Sequence, residues 1–116
     1  MTRQARGRDA EQRACVFLEG QGLCLLESNY RCRAGEIDLI MRDGKSLVFV
    51  EVRMRRHPGF GGALISVDRG KRARLIACAQ HYLQTSRSTR AARFDVIAIE
   101  AGERLDWVRN AFDATD

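Results

Sequence analysis

From about Asp9 to Gln21, apolar residues recur at helical spacing. Ala10, Ala14, Phe17 and Leu18 fall on one stripe, and Gly20 and Gly22 end it. The next stretch, LCLLESNYRCR, predicts a strand from Leu23 to about Cys32. GEIDLIMRDGKSLVFVEVRMR then sets two apolar runs around Asp43-Gly44, a short-range turn signal, and predicts a hairpin. HPGFGGA, residues 57–63, holds the only proline and three glycines and predicts a loop. A second helix is expected from about Asp68 to Gln84, with Leu75, Ile76, Ala79, Tyr82 and Leu83 on its apolar face. After TSRSTRAA come the strand RFDVIAIE, residues 93–100, and a shorter one within RLDWVRN. The order is helix, three strands, helix, two strands. A helix crossing between two strands calls for parallel pairing and a right-handed connection. The expected fold class is therefore α/β, a mixed sheet with helices packed on it. At 116 residues the chain is read as one domain, 1–116.

The hairpin carries the chemistry. With Asp43-Gly44 as its two turn residues, Arg42 partners Lys45, Glu36 faces Glu51 and Asp38 faces Phe49. Alternation then projects Glu36, Asp38, Glu51 and Arg53 from one face and leaves Ile37, Leu39, Val48, Val50 and Val52 on the other as core. Asp38 and Glu51 become diagonal neighbours, with Cα atoms about 7 Å apart. Carboxylates gathered on a sheet repel, and burying them unpaired is costly, so an arginine or a divalent cation must offset them. Converging carboxylates suit a hard ion such as Mg²⁺, which keeps waters for a phosphate substrate. The competing reading is a salt-bridge cluster in which Arg53 and a neighbour pair with Glu36 and Glu51. Glu11 shares a helical stripe with Ala14, Cys15 and Leu18. Lys71 shares one with Leu75, Cys78, Ala79 and Tyr82. Both therefore border buried faces, and together they would bring a third carboxylate and a cation to the same pocket.

Charge narrows the range of partners. The formal charge is +5, and between Arg53 and Arg74 seven basic residues stand against one acid, Asp68, whereas the last seventeen residues carry five acids. An anionic partner is expected, with nucleic acid first. Four cysteines without a CxxC pair are read as reduced thiols in a cytoplasmic protein. The polar opening MTRQARGRDAEQRA has no apolar h-region, so no secretory signal is expected. No apolar run approaches the roughly 20 residues of a membrane span, and no membrane partner is expected.

Several motifs resemble, in order and spacing over nearly the whole chain, the small bacterial YraN-like family. They are Ala10-Glu11 with Ala14, GEIDLI at 35–40, VFVEVRMR at 48–55, Lys71 followed by ACAQHYL, RFDV at 93–96 and the closing NAF at 110–112. The resemblance implies a restriction-endonuclease-like fold of the PD-(D/E)xK nuclease superfamily, related to archaeal Holliday junction resolvases. It implies that Asp38, Glu51 and the backbone carbonyl of Val52 bind Mg²⁺ or Mn²⁺, with Glu11 as the helix acid. Glu36 belongs to the family's GEID motif as an additional site acid. Arg53 completes the catalytic set but departs from the superfamily's lysine: arginine keeps the charge and can grip phosphate, yet cannot act as a base. Lys71, Arg55 and Arg56 are expected to contact nucleic acid. The expected function is a Mg²⁺-dependent nuclease hydrolysing DNA phosphodiester bonds, on branched or flapped DNA. The alternatives are a non-catalytic nucleic-acid-binding module on the same fold and a subunit whose basic surface meets an acidic protein. The resemblance admits a homodimer, although no residue pattern marks a dimer surface.

Overall fold

Two helices and five strands form in the order that the apolar pattern predicts: α1 (Arg3–Gly20), β1 (Cys24–Cys32), β2 (Gly35–Asp43), β3 (Ser46–Arg55), α2 (Arg69–Ser86), β4 (Ala92–Glu100) and β5 (Leu105–Phe112). The computed structural model describes residues 3–55, 67–100 and 104–114, with side chains from 7 to 54 in the first segment. The loop expected at 57–63 and Arg56 lie outside the described residues, as does the side chain of Arg55. The strands stand in the order β1-β2-β3-β4-β5; β3 and β4 pair in parallel and the other neighbours antiparallel. This is the mixed sheet expected from the sequence. β3 is the central strand, and residues 47–50 are buried on both its faces, which explains the unbroken apolar run LVFV. On one side α2 sets Leu75, Cys78 and Ala79 with Ile37, Ile40, Phe49 and Val96. On the other, Ala10, Ala14 and Leu18 of α1 join Leu39, Met41, Val48, Val50 and Ile97. All four cysteines are free.

Element ends differ from expectation where apolar spacing carries no signal. α1 begins at Arg3 rather than about Asp9, since its first turns are polar. α2 runs to Ser86, where Arg87 adopts a left-handed conformation (φ 54°) and its N–H bonds the carbonyls of Leu83 and Gln84. At the other end Asp68 caps the helix, its side chain accepting from the N–H of Lys71 at 2.8 Å.

The hairpin register is corrected by two residues. Asp43 pairs with Ser46, so Gly44 and Lys45 make the turn, and Ile40 faces Phe49 rather than Leu47. An Asp-Gly turn of the predicted kind requires positive φ at both central residues. Here it is confined to Gly44 (φ 61°), the pattern of a turn with glycine first. A shift of two in the sum of partner numbers leaves every side chain on its own face. It also carries Asp38 from opposite Phe49 to the position opposite Glu51.

A second correction concerns Ile37. It was expected beside Leu39 on one face but packs with Ile40 on the α2 side, while Leu39 and Met41 pack on the α1 side. Alternation along β2 therefore reverses between Ile37 and Leu39. Across the β1–β2 ladder this is the place of Asn29, between the pairs Ser28–Leu39 and Tyr30–Ile37. Asn29 is left-handed (φ 52°), a conformation that asparagine tolerates better than most residues.

The far edge of the sheet is tied by one buried carboxylate. Asp95 is 1% exposed. It accepts from Arg93 Nε at 3.0 Å, Trp107 Nε1 at 2.9 Å and the backbone N–H of Asn110 at 2.9 Å. Arg93 also reaches Asp43 at 3.0 Å, joining β4 to the hairpin turn. Trp107 packs edge-on to Phe17, and Phe112 is buried in the α2-side core, so both close the core. Trp107→Phe should keep an aromatic ring against Phe17 while losing the indole donor to Asp95 and part of the surface under Arg109. A cost of about 1–2 kcal/mol is expected, read from urea denaturation followed by circular dichroism; an unmoved midpoint would show that the hydrogen bond contributes nothing.

Candidate functional site

The β2–β3 ladder ends at the pair Leu39–Val50. Beyond it a side chain replaces a backbone rung: Asp38 Oδ2 accepts from the N–H of Val52 at 2.8 Å. Glu51, 4% exposed, lies within hydrogen-bonding reach of the Asp38 carboxyl. Burial, followed by the hydrogen bond to Glu51 and its charge, pushes the Asp38 carboxyl up to about 9, against the lowering effect of the Val52 N–H. At neutral pH the Asp38 carboxyl therefore keeps its proton. Asp38 and Glu51 do turn toward each other.

Asp38 stands where the alternation of β2 reverses, and so reaches groups on both sides of the sheet. Glu11, Glu36 and Asp38 each offer a carboxylate oxygen within 4.8 Å of the others. Asn29 Nδ2 bridges two of them, donating to Glu11 Oε1 at 2.8 Å and Glu36 Oε1 at 3.1 Å. Arg31 Nε holds the other oxygen of Glu36 at 2.9 Å. A cleft of about 230 Å³ between α1 and β1, lined by Arg8, Glu11, Gln12 and Asn29, opens beside this cluster. Glu36, expected as an additional site acid, thus joins Glu11 and Asp38 within the same 4.8 Å. Sequence reasoning missed Asn29, although an asparagine inside a predicted strand is itself a signal, because strands disfavour it.

The positive charge comes from Lys71, the cation its helical stripe was expected to bring, rather than from Arg53. Lys71 Nζ lies 3.1 Å from Glu51 Oε2, with 33% of the lysine side chain exposed. This is an ion pair by distance only: Oε2 is buried and has no hydrogen bond of acceptable angle. The Asp68 cap bonds the backbone of Lys71 itself and so fixes the base of that side chain. The salt-bridge cluster considered for Arg53 does not form among the described residues, where Glu36 pairs with Arg31 and Glu51 with Lys71. Arg53 is half-buried beyond Glu51 on β3. The structure thus brings together Glu11, Glu36, Asp38, Glu51 and Lys71.

This donor set fits a hard divalent cation. It consists of carboxylate oxygens with no imidazole or thiolate, one oxygen is buried without a hydrogen bond, and negative groups outnumber the cations beside them.

A family model described as "Uncharacterised protein family UPF0102" matches residues 10–99. The chain belongs to the UPF0102 family. This is the YraN-like family that the motifs resemble. Among curated relatives, a UPF0102 protein of Alkalilimnicola ehrlichii is 57% identical over 110 residues, covering 93% of this chain and 86% of its own. One from Dechloromonas aromatica is 53% identical over 115 residues, covering 99% and 94%. One from Nitrosomonas eutropha is 52% identical over 108 residues, covering 93% of each. The UPF0102 match spans every residue of the carboxylate cluster and Lys71. Among the described residues, no helix of this UPF0102 protein is long and apolar enough to cross a membrane.

Proposed function

We propose that this protein is a divalent-cation-dependent nuclease acting on phosphodiester bonds of nucleic acid, with DNA as the expected substrate. The observation that carries this reading is the neighbouring Asp38 and Glu51 carboxyls, with one buried Glu51 oxygen lacking a hydrogen bond and facing Lys71, flanked by Glu11 and Glu36. Asp38 and Glu51 would hold Mg²⁺ or Mn²⁺, with Glu11 as a third carboxylate. Val52 can join them. In an extended strand the N–H and C=O of one residue face the same neighbour, and the Val52 N–H points at Asp38, so its carbonyl turns to the same gap. Glu36, held by Arg31 and Asn29, positions this cluster.

When bound, the ion polarises a phosphoryl oxygen and makes water a stronger acid. The chain supplies the rest. Lys71 neutralises charge that develops on the phosphate beside Glu51, the role the superfamily gives to the lysine two residues after its glutamate. Arg53 keeps a permanent charge and a forked donor for a flanking phosphate. Asp38 gives up its proton on ligation.

The test incubates pure protein with junction, flap and single-stranded DNA in Mg²⁺ or Mn²⁺. Cleavage of at least one substrate by wild type and none by Asp38→Asn is expected. Binding without cleavage in either ion would leave the non-catalytic module. Equal cutting by both proteins would remove the carboxylates from the reaction.

A further inference from the structure

At the end of the sheet away from the carboxylates, a cleft of about 560 Å³ lies between β1, β2 and the C-terminal end of α2. Its walls carry Arg42 from β2 and Arg87 and Arg90 from the link that follows α2, with Ser88 among them; Leu26 and Tyr82 supply apolar surface. All three arginines are exposed. Among the described residues none forms an ion pair with a carboxylate, and Arg90 only reaches the carbonyl of Lys45 at 3.4 Å. Three like charges around one concavity repel unless an anion enters it. The carbonyls that end α2 offset the guanidinium of Arg87, but they do not account for Arg42 or Arg90.

The apolar side of the cleft is also built. The β1–β2 register shifts between Leu25 and Glu27, leaving Leu26 as the extra residue of a bulge, a device that re-aims a side chain. Leu26 is 46% exposed at the cleft. Guanidinium groups beside an exposed apolar side chain and an aromatic ring suit a single nucleic-acid strand, which offers both phosphates and unstacked bases. One carboxylate, Glu27 next to Leu26, borders the apolar side near Tyr82, and the three arginines outnumber it.

We infer that this cleft is a second contact for the nucleic-acid backbone, engaging phosphates of a single-stranded segment through Arg42, Arg87 and Arg90. The inference rests on the nucleic-acid reading of the carboxylate site. Lys71 and Arg87 stand at opposite ends of α2, about 24 Å apart at about 1.5 Å per residue. The strand that fills the cleft is therefore distant from the reacting phosphate, and the cleft governs affinity rather than chemistry.

The experiment measures the salt dependence of binding to a labelled single strand of about 16 nucleotides, the upper range of single-strand site sizes, by fluorescence anisotropy. In the Arg42→Ala/Arg87→Ala/Arg90→Ala protein, affinity at low salt should fall at least about tenfold. The log–log salt slope should become shallower by about 2, since each phosphate contact contributes about 0.7. The corresponding triple lysine variant should keep most of the slope. Arg42→Glu alone, at an exposed strand position, should also weaken binding and serves if the triple variant does not fold. An unchanged slope overturns the inference, as does a mononucleotide that competes as well as the strand, which would make the cleft a small-anion pocket. If wild type itself binds no strand, the inference falls together with the nucleic-acid reading. The Mn²⁺-induced melting shift reports the carboxylate site separately from all of these.

Discussion

Replacing Asp38 with asparagine should lower cleavage by about 10²–10³-fold, the scale of losing a principal group that stabilises transition-state charge, and should abolish stabilisation by Mn²⁺. The same substitution should make the cation-free protein more stable. Asparagine can still accept from the Val52 N–H and can donate to Glu51, and it removes an ionisable group that burial disfavours. The pH dependence follows from the raised Asp38 value of about 9. Between the ordinary carboxylate range and about 9, the folded protein binds a proton that the unfolded chain does not, so wild-type stability falls as pH rises through that window. The asparagine protein lacks this slope, and its advantage in Tm should widen from pH 5 to pH 9. Cation binding expels the same proton, so apparent affinity in wild type should rise about tenfold per pH unit below that limit. At a cation concentration about 100-fold above Kd the gain is about 2.7 kcal/mol, close to 10 °C at roughly 4 °C per kcal/mol. An asparagine protein that keeps the Mn²⁺ shift, or that melts below wild type at every pH, would refute the carboxylate site.

Lys71→Met should cost about 10²–10³-fold in cleavage, whereas Arg53→Met should cost about tenfold or less. The ammonium of Lys71 is 3.1 Å from Glu51, while among the described residues Arg53 pairs with neither site glutamate. Without a cation, Lys71→Met should also destabilise the fold by about 1–3 kcal/mol. That is less than the roughly 3–5 kcal/mol for breaking a fully buried pair, because 33% of the lysine side chain is exposed. Arg53→Lys should change little, because the lysine role is already filled from α2. Single-turnover rates at saturating Mn²⁺ separate these variants. If the two methionine substitutions prove equally damaging, or Arg53→Lys raises the rate sharply, the cation belongs to β3 after all.

Element order, the parallel β3–β4 pair and the inward acids were legible because each rests on local pattern: helical spacing, a glycine turn, and the buried run LVFV. Glu11 and Lys71 were legible as residues bordering buried stripes, and both do enter the cluster. The turn register was not. Asp-Gly and Gly-Lys are both acceptable turn pairs, and the choice depends on which residue adopts positive φ, which only the finished hairpin reveals. The reversal at Ile37 was hidden for a related reason. Alternation assumes an uninterrupted strand, and the interruption comes from Asn29 on the neighbouring strand, across the ladder. Asp95 read as one more polar residue in a strand, because its partners, Trp107 and Asn110, lie 12 and 15 positions away.

The left-handed backbone at Asn29 limits how this locus can change over evolutionary time. Glycine would accept the backbone geometry but break the bridge between Glu11 and Glu36; aspartate would add a further negative charge where a donor is required. A bulkier side chain can hold this backbone, as Arg87 does, at a cost of about 1–2 kcal/mol, but would lose the amide bridge. Drift at this position is penalised twice, by requirements that act on backbone and side chain independently.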